Sequence, residues 1–345
     1  MTEATLTAKD FQSDQEVRWC PGCGDYAILK SVQSVFPELG IPRENFVVVS
    51  GIGCSSRFPY YMSTFGFHSI HGRAPGFATG LKVTRPDLDV WVVTGDGDGL
   101  SIGGNHLIHA LRRNVGIKIL LFNNRIYGLT KGQYSPTSEV GKRTSSTPLG
   151  SVDNPFNPLA LALGAGATFV ARSVDIFQAH LKDVLRRAAA HKGTAFVEIY
   201  QNCNIFNDQA FSYVTDKTSR TDGVVYLEHG RPLAFGSKGS EKGLRQNGFG
   251  FEVVDLAAGS YTEEDCVVWD ETPANPALAF MMAQMAGTGP ADLPTPVGVL
   301  RCVEVPSFES GVIAQIQGEV GRRGAQTLHD LLHSGDTWTV EPPPA

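Results

Sequence analysis

The chain has 345 residues, 42% hydrophobic and 19% charged, an ordinary globular balance that excludes wholesale disorder. Its formal net charge of −6 argues against a nucleic-acid coat, and no apolar run approaches the roughly 20 residues of a membrane span. The opening MTEATLTAKDFQSDQEVRW has no apolar segment behind a basic one, so no signal peptide is expected and the chain is expected in the cytoplasm.

In chain order, a C-x2-C pair (Cys20, Cys23) precedes a helical candidate, DYAILKSVQSVFPEL. The spacing alone leaves zinc, a disulfide and an iron–sulfur cluster open. Four apolar runs follow: NFVVVSGIGC, DVWVVTGDGDG, GIKILLFNN and GTAFVEIYQNC. Helical candidates stand between them: GGNHLIHALRRN, NPLALALGAGA and IFQAHLKDVLRRAAAHK, the last with a basic final turn that complements the helix dipole. Continuous Val/Ile/Leu runs suit strands covered on both faces, and the alternation reads as an α/β domain with a mostly parallel sheet. Ligands of such sheets bind beyond the carboxyl ends of the strands. The first three runs end in GIGCSS, GDGDG and NNRIYG, and the fourth ends at Cys203. After about residue 215 the chain turns polar and glycine-rich, expected as surface loops or a linker, before a smaller α+β extension. The expected division is 1–215 and 216–345.

Six cysteines are too sparse for a disulfide scaffold in a chain of this length. Cys266 and Cys302 lie in strand-like apolar runs and are expected to be buried structural thiols.

GDGDGLSIGGNHLIHALRRNVGIKILLFNN carries the sharpest chemistry. Glycines let backbone amides approach phosphate oxygens, and Asp96 supplies a hard oxygen for a divalent cation. Asn124 adds a neutral oxygen and a nearby carbonyl another, a set that fits octahedral Mg2+ together with a diphosphate. Alone, DGDG is a turn and NN a strand end. The calcium-loop reading lacks the downstream Glu, and G-x-G-x-x-G fails because Ile102 takes the third glycine position. Together the two motifs resemble the diphosphate signature of thiamine diphosphate enzymes.

Read in order, WCPGCGDY, GIGCSSRFPYY, HGRAPGFATGLK, GDGDGLSIGGNH and NNRIYGLTKGQYSPTS resemble the β subunit of the 2-oxoacid:ferredoxin oxidoreductases, most closely the two-subunit 2-oxoglutarate type. The resemblance is dense over residues 15 to 215. It implies a thiamine-diphosphate-binding fold and one [4Fe-4S] cluster on Cys20, Cys23, Cys54 and Cys203. A structural Zn(Cys)4 site would use the same thiols but typically has two short pairs, and here there is one. By the resemblance Asp96, Asn124 and the carbonyl of Ile126 bind Mg2+. Gly97, Asp98, Gly128 and Leu129 lie along the diphosphate, Ile52, Gly53, Cys54 and Ser55 line the cofactor near the cluster, and His71 contacts it. Arg57 and Lys131 face the substrate, where a cation suits the second carboxylate of 2-oxoglutarate. The H-x2-H pairs at 68/71 and 106/109 lack a third ligand at suitable spacing and are not read as a metal site.

The implied reaction is oxidative decarboxylation of 2-oxoglutarate to succinyl-coenzyme A and CO2, or its reverse, with electrons passing through the cluster to ferredoxin. A cluster suits one-electron steps, whereas a nicotinamide would demand hydride transfer. An α subunit would supply the glutamate that activates the cofactor, in an expected dimer of αβ units. Alternatives are a pyruvate or broad-specificity oxidoreductase, a non-redox thiamine diphosphate decarboxylase subunit, and a zinc-stabilised binding subunit.

Overall fold

The computed structural model describes residues 6–285, 293–324 and 326–343. Strands β1 (Phe46–Ser50), β2 (Phe65–His68), β3 (Asp89–Gly95), β4 (Ile117–Asn123), β5 (Phe169–Val174) and β6 (Ala195–Tyr200) run parallel in the order β2-β1-β3-β4-β6-β5. The four apolar runs of the sequence are β1, β3, β4 and β6, side by side in this sheet. Every residue of β1, β4, β5 and β6 is buried, as expected of strands covered on both faces.

Helices α1 (Asp25–Val35), α2 (Ala74–Thr84), α3 (Asp96–Leu100), α4 (Gly104–Arg113), α5 (Pro158–Gly164) and α6 (Gln178–Ala190) cover the sheet. Alternation along the strands divides the core in two. Val47, Val49, Val90, Val92, Ile119 and Leu121 pack with Ala78, Leu107, Leu111 and Leu159 of α2, α4 and α5. Phe46, Val48, Trp91, Val93, Leu120 and Phe122 pack with Ile28, Val32, Leu181 and Leu185 of α1 and α6. Burying each such side chain stabilises the fold by about 1.5–3 kcal/mol over leaving it in water. The layers are therefore helix, sheet, helix.

Strand β5 is not foreseen in the sequence because Arg172 interrupts its apolar run. Its register partner on β6 is Glu198, and Arg172 Nε donates to Glu198 Oε2 at 2.7 Å with both side chains buried. The charge is matched across the sheet rather than along the chain.

The later chain also departs from expectation. After the short helices α7 (Ser212–Thr215) and α8 (Arg220–Gly223) come β7 (Val224–Leu227), β8 (Ala234–Phe235), β9 (Lys242–Asn247) and β10 (Gly250–Asp255). They precede α9 (Ala277–Ala283), β11 (Thr295–Cys302), α10 (Phe308–Arg323) and α11 (Leu328–Leu332). Strand β11 pairs antiparallel with β5, and β7 lies beyond it, so both extend the main sheet. Strands β8, β9 and β10 form a separate antiparallel sheet. The segment read as surface loops or linker thus also holds short strands, β7 to β9 and the start of β10. Its signal is hidden because β7 is only four residues long and β9 and β10 carry paired charges such as Arg245 and Glu252. Cys266 is buried, whereas Cys302 is only half-buried at the end of β11.

Candidate active site

The ends of β1, β3 and β4 open into one cleft of about 110 Å3. Its lining includes Ile52, Gly53, Cys54 and Ser55 after β1, His71 after β2, Gly97 and Asp98 after β3, and Gly128 and Leu129 after β4. Asp96, Asn124 and Ile126 line the same cleft. Every residue expected along the thiamine diphosphate and its Mg2+ is therefore brought to one place.

Asp96 directly follows β3, at the start of α3, and is 2% exposed. Its Oδ2 accepts the hydroxyls of Ser135 and Thr137, each at 2.6 Å, and burial pushes its carboxyl up to about 6 despite them. A nearby divalent cation would offset that burial. Asn124 Oδ1 accepts the Ile126 N–H at 3.1 Å, tightening the turn that carries both residues. A buried carboxylate, an amide oxygen and a turn carbonyl fit a hard cation. Gly97 lies under the Tyr127 ring. A Cβ there would come within 2.2 Å of the ring, and Tyr127 Oη donates to the Gly97 carbonyl at 2.9 Å.

Asp98 has a different role from the expected diphosphate contact alone. Its Oδ1 accepts the N–H groups of Ile52 and Gly72, at 3.0 and 2.6 Å, and lies 2.6 Å from His71 Nδ1. Its Oδ2 accepts the Thr94 hydroxyl at 2.6 Å. One buried carboxylate thus ties together the loops after β1, β2 and β3. Because it can only accept, His71 carries its proton on Nδ1, and a neutral ring presents its Nε2 lone pair.

The thiols meet beside this cleft. Cys20 and Cys23 sit on a turn closed by Cys23 N–H to the Cys20 carbonyl at 3.1 Å. Trp19 Nε1 donates to the Cys54 carbonyl at 2.7 Å, fixing that turn against the end of β1. A Cβ added at Gly128 would lie 3.5 Å from Cys54 Sγ and 3.6 Å from Cys203 Sγ, so the missing side chain leaves room between two sulfurs. Burial pushes the Cys23 thiol well up and the Cys54 thiol to about 12, with the Asp25 carboxylate adding to both. Among the described residues no three His, Cys, Asp or Glu side chains close tightly enough around a point to hold a single ion.

Arg57 and Lys131 do not line the cleft; they follow lining residues Ser55 and Thr130. Arg57 is half-buried and its Nη1 donates to the Arg18 carbonyl at 2.8 Å. Lys131 is exposed, with a left-handed backbone φ of 75°. Of the tempting histidine pairs, His68 Nδ1 lies 2.9 Å from the Ser56 carbonyl, and His106 Nε2 faces Arg73.

Sequence reasoning missed Ser135, Thr137, Gln201 and Asp25. Asp25 lines the cleft, is 1% exposed, and has Oδ1 without a hydrogen-bond partner. Burial raises its carboxyl to about 7. Its signal was present: it stands two residues after Cys23, at the start of α1. Gln201 follows β6 and donates from Nε2 to Cys23 Sγ at 3.2 Å.

The family described as thiamine pyrophosphate enzyme, C-terminal TPP binding domain, matches residues 51–199. The 2-oxoglutarate oxidoreductase subunit KorB of Mycobacterium tuberculosis is 54% identical, over 99% of this chain and 90% of that protein. The chain belongs to the β subunits of the 2-oxoacid:ferredoxin oxidoreductases. A β subunit of 2-oxoacid:ferredoxin oxidoreductase 1 from Aeropyrum pernix is 47% identical over 55% of this β subunit and 60% of its own length. A chain of the 2-oxoglutarate:ferredoxin oxidoreductase from Magnetococcus marinus, solved with 2-oxoglutarate, coenzyme A and succinyl-CoA bound, superposes with a TM-score of 0.76. The identity is 32%, and the match covers 96% of this β subunit and 97% of that chain. The fold is thus the thiamine-diphosphate-binding α/β fold, and the chain is a subunit of an oxidoreductase.

Proposed function

We propose that this β subunit works with an α subunit in a 2-oxoglutarate:ferredoxin oxidoreductase. The complex converts 2-oxoglutarate and coenzyme A to succinyl-coenzyme A and CO2, or the reverse, and exchanges electrons with ferredoxin. The observation that carries this reading is one cleft at the strand ends where a buried carboxylate, a glycine-lined floor and facing thiols converge. The Mycobacterium tuberculosis and Magnetococcus marinus relatives, both named for 2-oxoglutarate, support that substrate over pyruvate.

When bound, thiamine diphosphate supplies an electron sink for loss of CO2 from a 2-oxoacid, and a [4Fe-4S] cluster supplies one-electron acceptance. Asp96, Asn124 and the Ile126 carbonyl hold Mg2+, with Ser135 and Thr137 fixing the Asp96 carboxylate. Gly97, Gly128 and Leu129 give the diphosphate close backbone approach, and Asp98 holds His71 and the Ile52 loop against the cofactor. Cys20, Cys23, Cys54 and Cys203 ligate the cluster; Gly128 leaves space between Cys54 and Cys203, and the single short cysteine pair suits a cubane better than a structural Zn(Cys)4 site. Arg57 and Lys131 pair with the substrate's carboxylates. These groups all fall within residues 1–215, which we assign as the cofactor and cluster domain, with 216–345 as its extension. We place the complex, two αβ units, in the cytoplasm; no helix among the described residues is long and apolar enough to cross a membrane.

The reading is tested by coenzyme A-dependent ferredoxin reduction with and without the α subunit, on 2-oxoglutarate and on pyruvate. Activity should require the α subunit and favour 2-oxoglutarate in kcat/KM. Lys131→Ala should raise the KM for 2-oxoglutarate more than that for pyruvate. Full activity of the β subunit alone, or a preference for pyruvate, would overturn the assignment.

A further inference from the structure

Gln201 stands between the two halves of the site. Its Nε2 donates to Cys23 Sγ at 3.2 Å and to the Asn202 carbonyl at 2.7 Å, while its Oε1 accepts Asn124 Nδ2 at 2.8 Å. The residue is 1% exposed, and its own N–H donates to the Asn123 carbonyl at 2.9 Å. Both side-chain donors and the acceptor are in use. The amide cannot flip without setting Gln201 Nε2 against Asn124 Nδ2, donor against donor. Asn124 is fixed in turn, because its Oδ1 accepts the Ile126 N–H at 3.1 Å.

We propose that Gln201 is a positioning residue for both cofactors: its N–H bond to Cys23 Sγ sets the potential of the cluster, and its carbonyl holds the Asn124 carboxamide in register for the metal. The inference rests on the reading above, in which Cys23 ligates the cluster and Asn124 the Mg2+. An N–H donor stabilises charge on a ligating sulfur, and more of it in the reduced cluster, which carries one more electron; the potential is thereby raised. With Nδ2 held by Gln201, Asn124 presents oxygen rather than nitrogen to the cation, as a divalent hard ion requires. A single buried amide therefore couples the geometry of the diphosphate site to the electronics of the electron acceptor beside it.

The test uses the αβ complex with Gln201→Glu and Gln201→Leu. Glutamate keeps an acceptor for Asn124 but has no N–H for Cys23; leucine keeps neither. Two titrations are read: the midpoint potential of the cluster followed by electron paramagnetic resonance, and Mn2+ binding in the presence of thiamine diphosphate. Both variants should show a lower midpoint potential than the parent, and the leucine variant isolates the lost hydrogen bond from the added charge. The Mn2+ dissociation constant should stay within about twofold in Gln201→Glu and weaken about tenfold in Gln201→Leu, the scale of losing a partner of a metal ligand. If neither variant retains the cluster, Gln201→Asn, which withdraws the amide by one methylene, is read in the same titrations with the direction expected of leucine. Unchanged potential and Mn2+ affinity with only a lower melting temperature would reduce Gln201 to a structural residue and overturn the inference. A parent complex with no cluster, or no Mn2+ binding linked to the diphosphate, would instead overturn the underlying site reading, and that appears before any variant is compared.

Discussion

Asp98 offers the clearest energetic test of how the cleft is held open. The carboxylate is 2% exposed and receives the Ile52 and Gly72 N–H groups, the His71 ring and the Thr94 hydroxyl. Truncation to alanine affects these donors unequally. Thr94 can turn toward the Gly95 carbonyl, already 3.4 Å away, and the His71 side chain is 40% exposed and reaches water. The Gly72 and Ile52 amides are left stranded, at about 1–3 kcal/mol each, so Asp98→Ala should destabilise the β subunit by about 2–6 kcal/mol. Asp98→Asn retains an oxygen for the amides but gives up their charge assistance, and should cost about 1–2 kcal/mol. Gly51→Ala should also be destabilising, because its Cβ would lie 1.9 Å from Asp98 Oδ2; in the Asp98→Ala background that clash is gone, so the two effects should fall short of adding. Urea unfolding of the β subunit without cofactor reads these values as midpoint shifts at constant slope. An Asp98→Ala protein within about 0.5 kcal/mol of the parent, the range of an ordinary surface change, would refute the account of Asp98 as the tie between three loops.

Gly97→Ala should weaken Mg2+-dependent thiamine diphosphate binding about tenfold or more by calorimetry, since the new Cβ displaces the Tyr127 ring beside the proposed metal site; Tyr127→Ala in the same chain should restore part of it. Arg172→Met leaves Glu198 buried without its ion partner and should cost about 3–5 kcal/mol in urea unfolding, whereas adding Glu198→Leu should recover most of that loss. His191 is buried beside Lys118, and burial first, then that cation, lower its ring from 6.5 to about 4. The unfolded chain therefore binds the extra proton first as pH falls, so stability declines between pH 6.5 and about 4 and levels below that. In His191→Gln that acid limb should be shallower, and an unchanged slope would remove His191 from the explanation.

The elements that could be read from the sequence are those whose signal is local. Strands β1, β3, β4 and β6 are uninterrupted apolar runs because helices cover both their faces, and the glycines and oxygen ligands at their ends are contiguous motifs. Strand β5 escaped because Arg172 is matched by Glu198 on the neighbouring strand, 26 residues away along the chain. The same physics hid parts of the site. Ser135 reaches Asp96 across 39 residues, Asn124 meets Gln201 across 77, and Gln201 meets Cys23 across 178. No spacing rule spans such separations; only the sheet order brings them together. Asp98 was found as a residue of the cleft, but its engagement by donors from three loops depends on how β1, β2 and β3 sit side by side.

What the four thiols hold decides the chemistry of this site. Iron, acid-labile sulfide and zinc should be measured in the αβ complex purified without oxygen, with Cys20→Ser and Cys203→Ser as comparisons. About four irons and four sulfides per β subunit, lost in both variants, are the predicted result. Zinc at about one per chain without labile sulfide would contradict the account and remove the redox chemistry from this site.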